Sequence, residues 1–172
     1  MNSFSIEDFL DLSGYATPER IARRKNVTIG PGAHEQAEGI KAGKKAKPTA
    51  EYFTPYSIVK RMGDKIPDED WANPDKTFLE PSFGNGQFVC YIVWNRIEHG
   101  VCWKVALDTL YGVELMQDNV EETKDRVIDM LKQMGVDFDE AKARKTMDSN
   151  LVCHDFFNWD FARWKPISTK LF

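Results

Sequence analysis

The chain has 172 residues, of which 42% are apolar, 12% aromatic and 29% charged, and its formal net charge is −4. This composition excludes an intrinsically disordered chain, and the length fits one domain with a core but not two large domains. The net charge also excludes a protein that is basic over its whole surface.

The first fifty residues are predicted to form a helical and flexible segment ahead of a main domain that spans residues 51–172. Ser5 is a predicted N-cap for a helix that ends before Gly14, and Thr17-Pro18 predicts the start of a second helix. Eight cationic and two acidic side chains then lie between Arg20 and Lys47. This basic arm is either a solvated tail or a segment that binds phosphates. Its candidate DNA contacts are Lys41, Lys44, Lys45 and Lys47.

The main domain alternates predicted strands with predicted helices. It begins with an amphipathic helix around residues 58–62 and a turn region at residues 68–75. The further elements are a strand at 77–79, a glycine loop at 84–86, a helix at 87–98, a strand at 109–115, a helix at 118–134 with Gly135 just beyond it, and a strand at 151–153. This order predicts an α/β fold, in which a parallel sheet is connected by crossover helices.

The glycine loop is the sharpest feature of the sequence. In FLEPSFGNGQFV (residues 78–89), a buried strand ends at Glu80, and Gly84-Asn85-Gly86 precedes a helix. Glycines let the backbone approach a ligand closely, and the N–H groups of a helix N-terminus attract anions. On its own the pattern also suits an ordinary tight turn. A Rossmann dehydrogenase would have a third glycine at position 89, where this chain has Val89.

Two more acidic residues follow the later strands. Glu114 closes the second predicted strand, and Asp155 follows the third. Ligands of open α/β sheets bind beyond the carboxyl ends of the strands, where Glu114 could accept hydrogen bonds from a ribose diol and Asp155 from an adenine amino group. The alternatives are that Glu114 is simply solvated and that Asp155, or Asp160 nearby, caps a helix.

Four motifs in this order resemble the adenine-N6 DNA methyltransferases, including the methylation subunits of restriction-modification systems. They are YFTP (52–55), EPSFGNGQF (80–88), YGVE (111–114) and DFFNW (155–159). The resemblance implies a partial Rossmann-like sheet of the S-adenosylmethionine-dependent methyltransferases. It further implies that S-adenosylmethionine is the cofactor and that DNA is a partner.

The resemblance also implies roles for individual residues. Tyr52, Phe53 and Thr54 would flank the methionine end of the cofactor. Glu80, Pro81, Gly84 and Gly86 would surround the methionine moiety, Glu114 would bind the ribose and Asp155 the adenine.

The sequence departs from this family in one important motif. The family carries an Asn/Asp-Pro-Pro-aromatic motif about a dozen residues after the third acidic position, and it holds the flipped target base. No Pro-Pro dipeptide occurs in this sequence. Catalytic residues are therefore unassigned, and we expect transfer to DNA only if a protein partner or a further segment supplies this motif and target recognition. The alternative is a catalytically silent protein that binds the cofactor or serves as an interaction partner.

The remaining residue types indicate no further chemistry. Cys90, Cys102 and Cys153 show no metal-binding spacing, and the three histidines have no partners at the spacing of a metal site or a catalytic triad. The longest apolar run, at residues 88–94, is far shorter than a membrane span. We therefore expect no metal, no membrane association and a reduced, cytoplasmic setting.

Overall fold

The computed structural model describes residues 4–11 and 54–167. The first described element is helix α1 (Ile6–Leu10), whose N-cap is Ser5, as predicted, because the Ser5 hydroxyl accepts from the Asp8 amide. Helix α1 ends at Leu10, before Gly14, as predicted. The predicted second helix, the basic arm with its four lysines, and Tyr52 and Phe53 all lie outside the described residues.

Two helices precede the sheet. Helix α2 (Tyr56–Gly63) covers the predicted amphipathic stretch, and it buries Val59. Helix α3 (Asp68–Ala72) lies where the sequence predicts only a turn region. That prediction is wrong because a single buried side chain, Trp71, stacks on Phe78 at 4.9 Å between ring centroids and holds this short helix on the core.

The central element is a parallel sheet of three strands, β1 (Phe78–Glu80), β2 (Leu110–Glu114) and β3 (Leu151–Cys153), in the order β1-β2-β3. Phe78 pairs with Leu110, and Gly112 pairs with Leu151. Strand β3 has the predicted bounds. Both ends of β1 and both ends of β2 differ from their predicted positions by one residue. The parallel pairing confirms the predicted α/β class, since such strands need crossover connections.

Four helices form those connections. Between β1 and β2 lie α4 (Gln87–Glu98) and α5 (Trp103–Asp108), and between β2 and β3 lie α6 (Gln117–Gln133) and α7 (Glu140–Asn150). Helices α4 and α6 match prediction within one residue, and Gly135 adopts the left-handed conformation expected beyond a helix end. Neither α5 nor α7 is predicted from the sequence. Helix α7 buries only Ala143 and Met147, which is too little apolar periodicity to detect.

The two faces of the sheet are covered unequally. Phe78, Leu110 and Leu151 face the helices and belong to the main core, which also includes Ile6 and Leu10 of α1. On the opposite face Leu79 is 48% exposed. Tyr111 on this face contacts Trp164, whose loop joins the short antiparallel strands β4 (Trp159–Asp160) and β5 (Lys165–Pro166).

Within the described ranges no helix is both long and apolar enough to cross a membrane.

Candidate functional site

The glycine loop, residues 81–86, joins β1 to α4 in a conformation that depends on its glycines. Gly84 and Gly86 both have positive φ, +52° and +85°. A Cβ atom at Gly86 would lie 2.6 Å from the Thr123 methyl group of α6, whereas one at Gly84 would meet nothing within 4 Å. Gly86 is therefore required both by its backbone angle and by the close approach of α6.

Glu114 holds this loop from the end of β2. Its buried carboxylate accepts from the Gly84 amide at 2.9 Å and from the Met116 amide at 3.0 Å, and the Asn119 amide group lies 3.4 Å away. Successive side chains of a strand point to opposite faces, so Glu114 points toward the helices while Val113 and Leu115 point the other way. In this structure the carboxylate serves the chain's own amides, and its contact with a ribose stays a prediction.

Helix α6 holds the loop from the other side. The Thr123 hydroxyl donates to the Gly84 carbonyl at 3.2 Å, and Arg126 donates to the Asn85 carbonyl at 2.7 Å. Gly84 is thus held through both its N–H and its C=O. The side chain of Asn85 is buried, and its Nδ2 has no partner among the described residues.

Glu80 lies at the end of β1 in a poorly solvated position. The pKa of its carboxyl group is raised to about 7, chiefly by burial and also by the neighbouring charge of Glu114, although the hydrogen bond from the Ser82 amide lowers it. Near neutral pH, Glu80 is therefore divided between its neutral and charged forms. A cation brought beside it would favour the charged form.

A cleft of about 390 Å³ opens at the carboxyl ends of the three parallel strands. Its lining residues are mostly apolar, and all of them follow β1, β2 or β3 except Val113, which lies within β2. They are Pro81, Ser82, Val113, Leu115, His154, Asp155, Phe156 and Phe157. Three of them are exposed although apolar: Leu115 at 39%, Phe156 at 37% and Phe157 at 75%.

Asp155 lies in the wall of this cleft and also caps a turn. Its carboxylate accepts from the Phe157 amide at 2.9 Å and from the Asn158 side chain at 3.0 Å, and so it begins the 3₁₀ turn Phe156–Asn158. The capping role and the cleft position occur together, so the two alternatives for this residue do not exclude each other. Beside it, the buried His154 ring has Nδ1 3.0 Å from the Asp155 carbonyl and packs on Trp159.

The predicted site residues divide into two groups. Pro81 and Asp155 line the cleft, while Glu114 and Gly84 contact each other behind it. Of the YFTP motif only the end is described, and there the Thr54 carbonyl accepts from Gln87 at 3.1 Å. Thr54, Glu80, Gly84, Gly86 and Glu114 are not among the lining residues.

Several lining residues are not among those predicted from the sequence. Leu115 and Phe156 each directly follow a predicted acidic residue, Phe157 lies one position further on, and the spacing of His154 predicts no role. A usable signal exists for Leu115, since a residue that directly follows a strand-end carboxylate points to the opposite side of the sheet. Gln87 and Arg126 gave no such signal, because their partners lie 33 to 77 positions away.

The described cysteines and histidines indicate neither a nucleophile nor a metal site. The pKa of Cys153 is raised to about 11, chiefly by burial and then by nearby carboxylates, so the thiol stays protonated near neutral pH. Burial likewise raises the pKa of Cys90 to about 11. No group of three or more metal-ligating side chains occurs in residues 4–11 and 54–167.

The sequence matches no protein-family model, and no curated protein or solved structure is significantly similar to it. The interpretation of the cleft therefore depends on its own residues and their geometry.

Proposed function

We propose that this chain binds S-adenosylmethionine at the carboxyl edge of its parallel sheet, as do the adenine-N6 DNA methyltransferases that its motifs resemble. The observation that carries the proposal is the cleft of about 390 Å³ where β1, β2 and β3 end, directly beside a glycine turn that opens α4. Open α/β sheets bind their ligands at this edge, and the volume is in the usual range for small-molecule sites.

The residues present fit the chemistry of this cofactor. Leu115 and Phe156 offer exposed apolar surface suited to a flat purine, and Asp155 lies next to them as an acceptor for an amino group. At the other end of the molecule, Glu80 would face an ammonium group, and the N-terminus of α4 suits a carboxylate. Glu114 closes β2 at the same edge of the sheet, and the resemblance gives it the ribose.

On this proposal the sheet is part of a Rossmann-like methyltransferase fold in a cytoplasmic protein. The bound cofactor supplies an activated methyl group, and the residues of this chain bind and orient it. Transfer to the exocyclic amine of adenine in DNA needs groups that hold the amine in line, which is catalysis by positioning. A protein partner or a further segment with an Asn/Asp-Pro-Pro-aromatic motif would supply these groups.

Calorimetry with S-adenosylhomocysteine and S-adenosylmethionine tests the binding proposal. We expect micromolar dissociation constants, equivalent to about −8 kcal/mol. Nicotinamide adenine dinucleotide is the matched control, because it also contains adenosine but needs the third glycine of a dinucleotide loop, where this chain has Val89. The proposal is wrong if millimolar S-adenosylhomocysteine produces neither heat nor a shift in melting temperature.

A second assay separates binding from transfer. The absence of a Pro-Pro dipeptide favours a chain that binds the cofactor without methylating DNA by itself. We therefore expect no incorporation of tritiated methyl groups into duplex DNA by the purified chain. Incorporation that appears only with a second protein supports the partner hypothesis, and incorporation by the chain alone would reveal an unrecognised acceptor site.

The salt dependence of DNA binding tests the proposed DNA contacts of the basic arm. Binding to duplex DNA should be weak, independent of sequence and steeply salt-dependent, since each neutralised phosphate contributes about −0.9 to the log–log slope. Replacing Lys41, Lys44, Lys45 and Lys47 by glutamine should flatten that slope and leave cofactor affinity unchanged. An unchanged slope would mean that these lysines do not contact DNA.

A further inference from the structure

Two buried polar side chains lie behind the glycine loop and form a continuous network with it. Gln87, the first residue of α4, and Arg126 of α6 are 3% and 9% exposed. One terminal nitrogen of Arg126 donates to the Asn85 carbonyl at 2.7 Å, and the other donates to the Gln87 Oε1 atom at 2.7 Å. Buried polar groups are costly when they lose a partner, so each of these contacts restrains its neighbours.

Gln87 extends the network to the N-terminal part of the chain. Its Nε2 atom donates to the Leu10 carbonyl at 3.0 Å and to the Thr54 carbonyl at 3.1 Å. Leu10 is the last residue of α1, and Thr54 leads into α2. Because Nε2 carries two hydrogens and Oε1 accepts from Arg126, this one amide connects α1, the entry to α2 and α6.

Helix α1 also contacts Arg126 directly. The guanidinium group lies over the Phe9 ring, 5.5 Å from its centroid, in the geometry of a cation–π contact. Ile6 and Leu10 anchor the helix in the core. No residue of α1 lines the cleft, and Gln87 and Arg126 connect this helix to the loop.

We propose that Gln87 and Arg126 are positioning residues that couple the docking of α1 to the conformation of the glycine loop. The loop carbonyl that Arg126 holds belongs to Asn85, between the two glycines with positive φ. Undocking α1 removes partners of Gln87 and Arg126, and thereby frees the loop. This inference rests on the proposed function for the identity of the ligand, whose methionine part the loop would face. By thermodynamic linkage, the ligand must in turn stabilise docked α1.

The first test compares S-adenosylhomocysteine with adenosine, which lacks the part that would face the loop. Phe9→Ala removes the ring under the guanidinium without touching the loop, and Arg126→Lys shortens the donor that holds Asn85. In both variants we expect S-adenosylhomocysteine affinity to fall at least about fivefold, within the usual range of coupling between sites. Adenosine affinity should stay unchanged, which general destabilisation would not produce.

Arg96→Lys is the matched control. Arg96 is also buried, but it donates to the Asn73 and Lys76 carbonyls ahead of β1 rather than to the glycine loop. This variant should lose stability without changing the affinity ratio of the two ligands. The proposal is overturned if the ratio stays constant in Phe9→Ala and Arg126→Lys, or if it changes equally in Arg96→Lys.

Hydrogen exchange tests the coupling without depending on the ligand. The Phe9 and Asp11 amides bond to the Ser5 and Asp8 carbonyls, so they report whether α1 is folded and docked. Arg126→Lys should accelerate their exchange in the free protein, and S-adenosylhomocysteine should slow it in the wild type. A wild type that binds neither ligand refutes the proposed function alone, and unchanged exchange in Arg126→Lys then refutes the coupling as well.

Discussion

The glycine loop and the segment from residue 154 to residue 157 both follow a buried parallel strand, but they are held in different ways. The loop is held by buried hydrogen bonds to Glu114, Thr123 and Arg126. The later segment has one capped turn, and its phenylalanines face outward, with Phe157 75% exposed. On one side of the edge the backbone is held by buried hydrogen bonds, whereas the other side leaves apolar surface in contact with solvent.

Because of this difference, substitutions on the two sides of the edge should affect stability and ligand binding differently. A change on the loop side removes or crowds buried groups, so it should lower the free energy of unfolding directly. A change on the apolar side removes surface that is already hydrated, so it should affect the ligand more than the fold. The substitutions below test this separation, in descending order of the expected effect.

Gly86→Ala should have the largest effect. Its backbone is left-handed, and the new Cβ would lie 2.6 Å from Thr123, so strain and overpacking together should lower the free energy of unfolding by about 2–5 kcal/mol. Urea unfolding measures the loss. Gly100→Ala is the matched control, since it has φ of +86° and open space around it. Equal losses at both positions would mean that α6 does not constrain the loop.

Glu114→Gln should follow in size. One donor amide of the protein would then face the new NH₂ group instead of a carboxylate oxygen, so we expect a loss of about 2–3 kcal/mol in the free energy of unfolding. Glu121→Gln is the surface control, because the Glu121 carboxylate is more than half exposed. Thermal and urea unfolding should give the same ranking. A loss no larger than in Glu121→Gln would show that Glu114 does not hold the loop.

Glu80→Gln should act in the opposite direction on stability. The pKa of Glu80 is about 7 in the folded chain and 4.5 for a solvated glutamate, so the protonated form favours folding. Its contribution is complete below pH 4.5 and is lost as the pH rises through 7. At pH 8 the variant should therefore be more stable than wild type by about 1–3 kcal/mol.

The same substitution should weaken binding of a cationic ligand. Wild-type affinity for S-adenosylmethionine should increase between pH 6 and pH 8 as Glu80 ionises, and that of Glu80→Gln should be lower and independent of this ionisation. Calorimetry at both pH values measures this. A wild-type affinity that does not change with pH would mean that Glu80 does not face the ammonium group.

Leu115→Ala should have the smallest effect on stability and a clear effect on binding. Leu115 is 39% exposed and lines the cleft, whereas Leu79 is 48% exposed and lines a separate cavity beside Trp164. Both alanine variants should stay within about 1 kcal/mol of wild type, and only Leu115→Ala should weaken adenosine binding, by about tenfold. Equal weakening in both variants would place the purine elsewhere.

Much of the fold was predictable because its signals are local. Strand β3 and helices α4 and α6 are defined by apolar residues at strand or helix spacing, and the glycine turn between β1 and α4 follows from its own residues. Part of the cleft lining was also predictable, whereas its contact with a cofactor stays a prediction. Pro81 and Asp155 line the cleft, as their positions after two strands suggest.

The rest depends on contacts between distant residues. Thr123 and Arg126 of α6 hold the loop because α6 packs against residues about forty positions earlier in the chain. No local pattern of the sequence indicates such a contact. The orientation of Glu114 toward this loop has the same origin. Helix α3 was missed because one buried tryptophan outweighed the turn-like polar residues around it.

The double hydrogen bond of Gln87 has a consequence for protein engineering. The Leu10 and Thr54 carbonyls lie 3.0 and 3.1 Å from the same nitrogen, so the chain leaves and re-enters the described fold at nearly one point. A linker of a few residues, each spanning about 3.5 Å, is long enough to replace residues 12–53. The described α/β part can therefore be prepared with α1 joined to it directly, without the lysine-rich segment and without Tyr52 and Phe53.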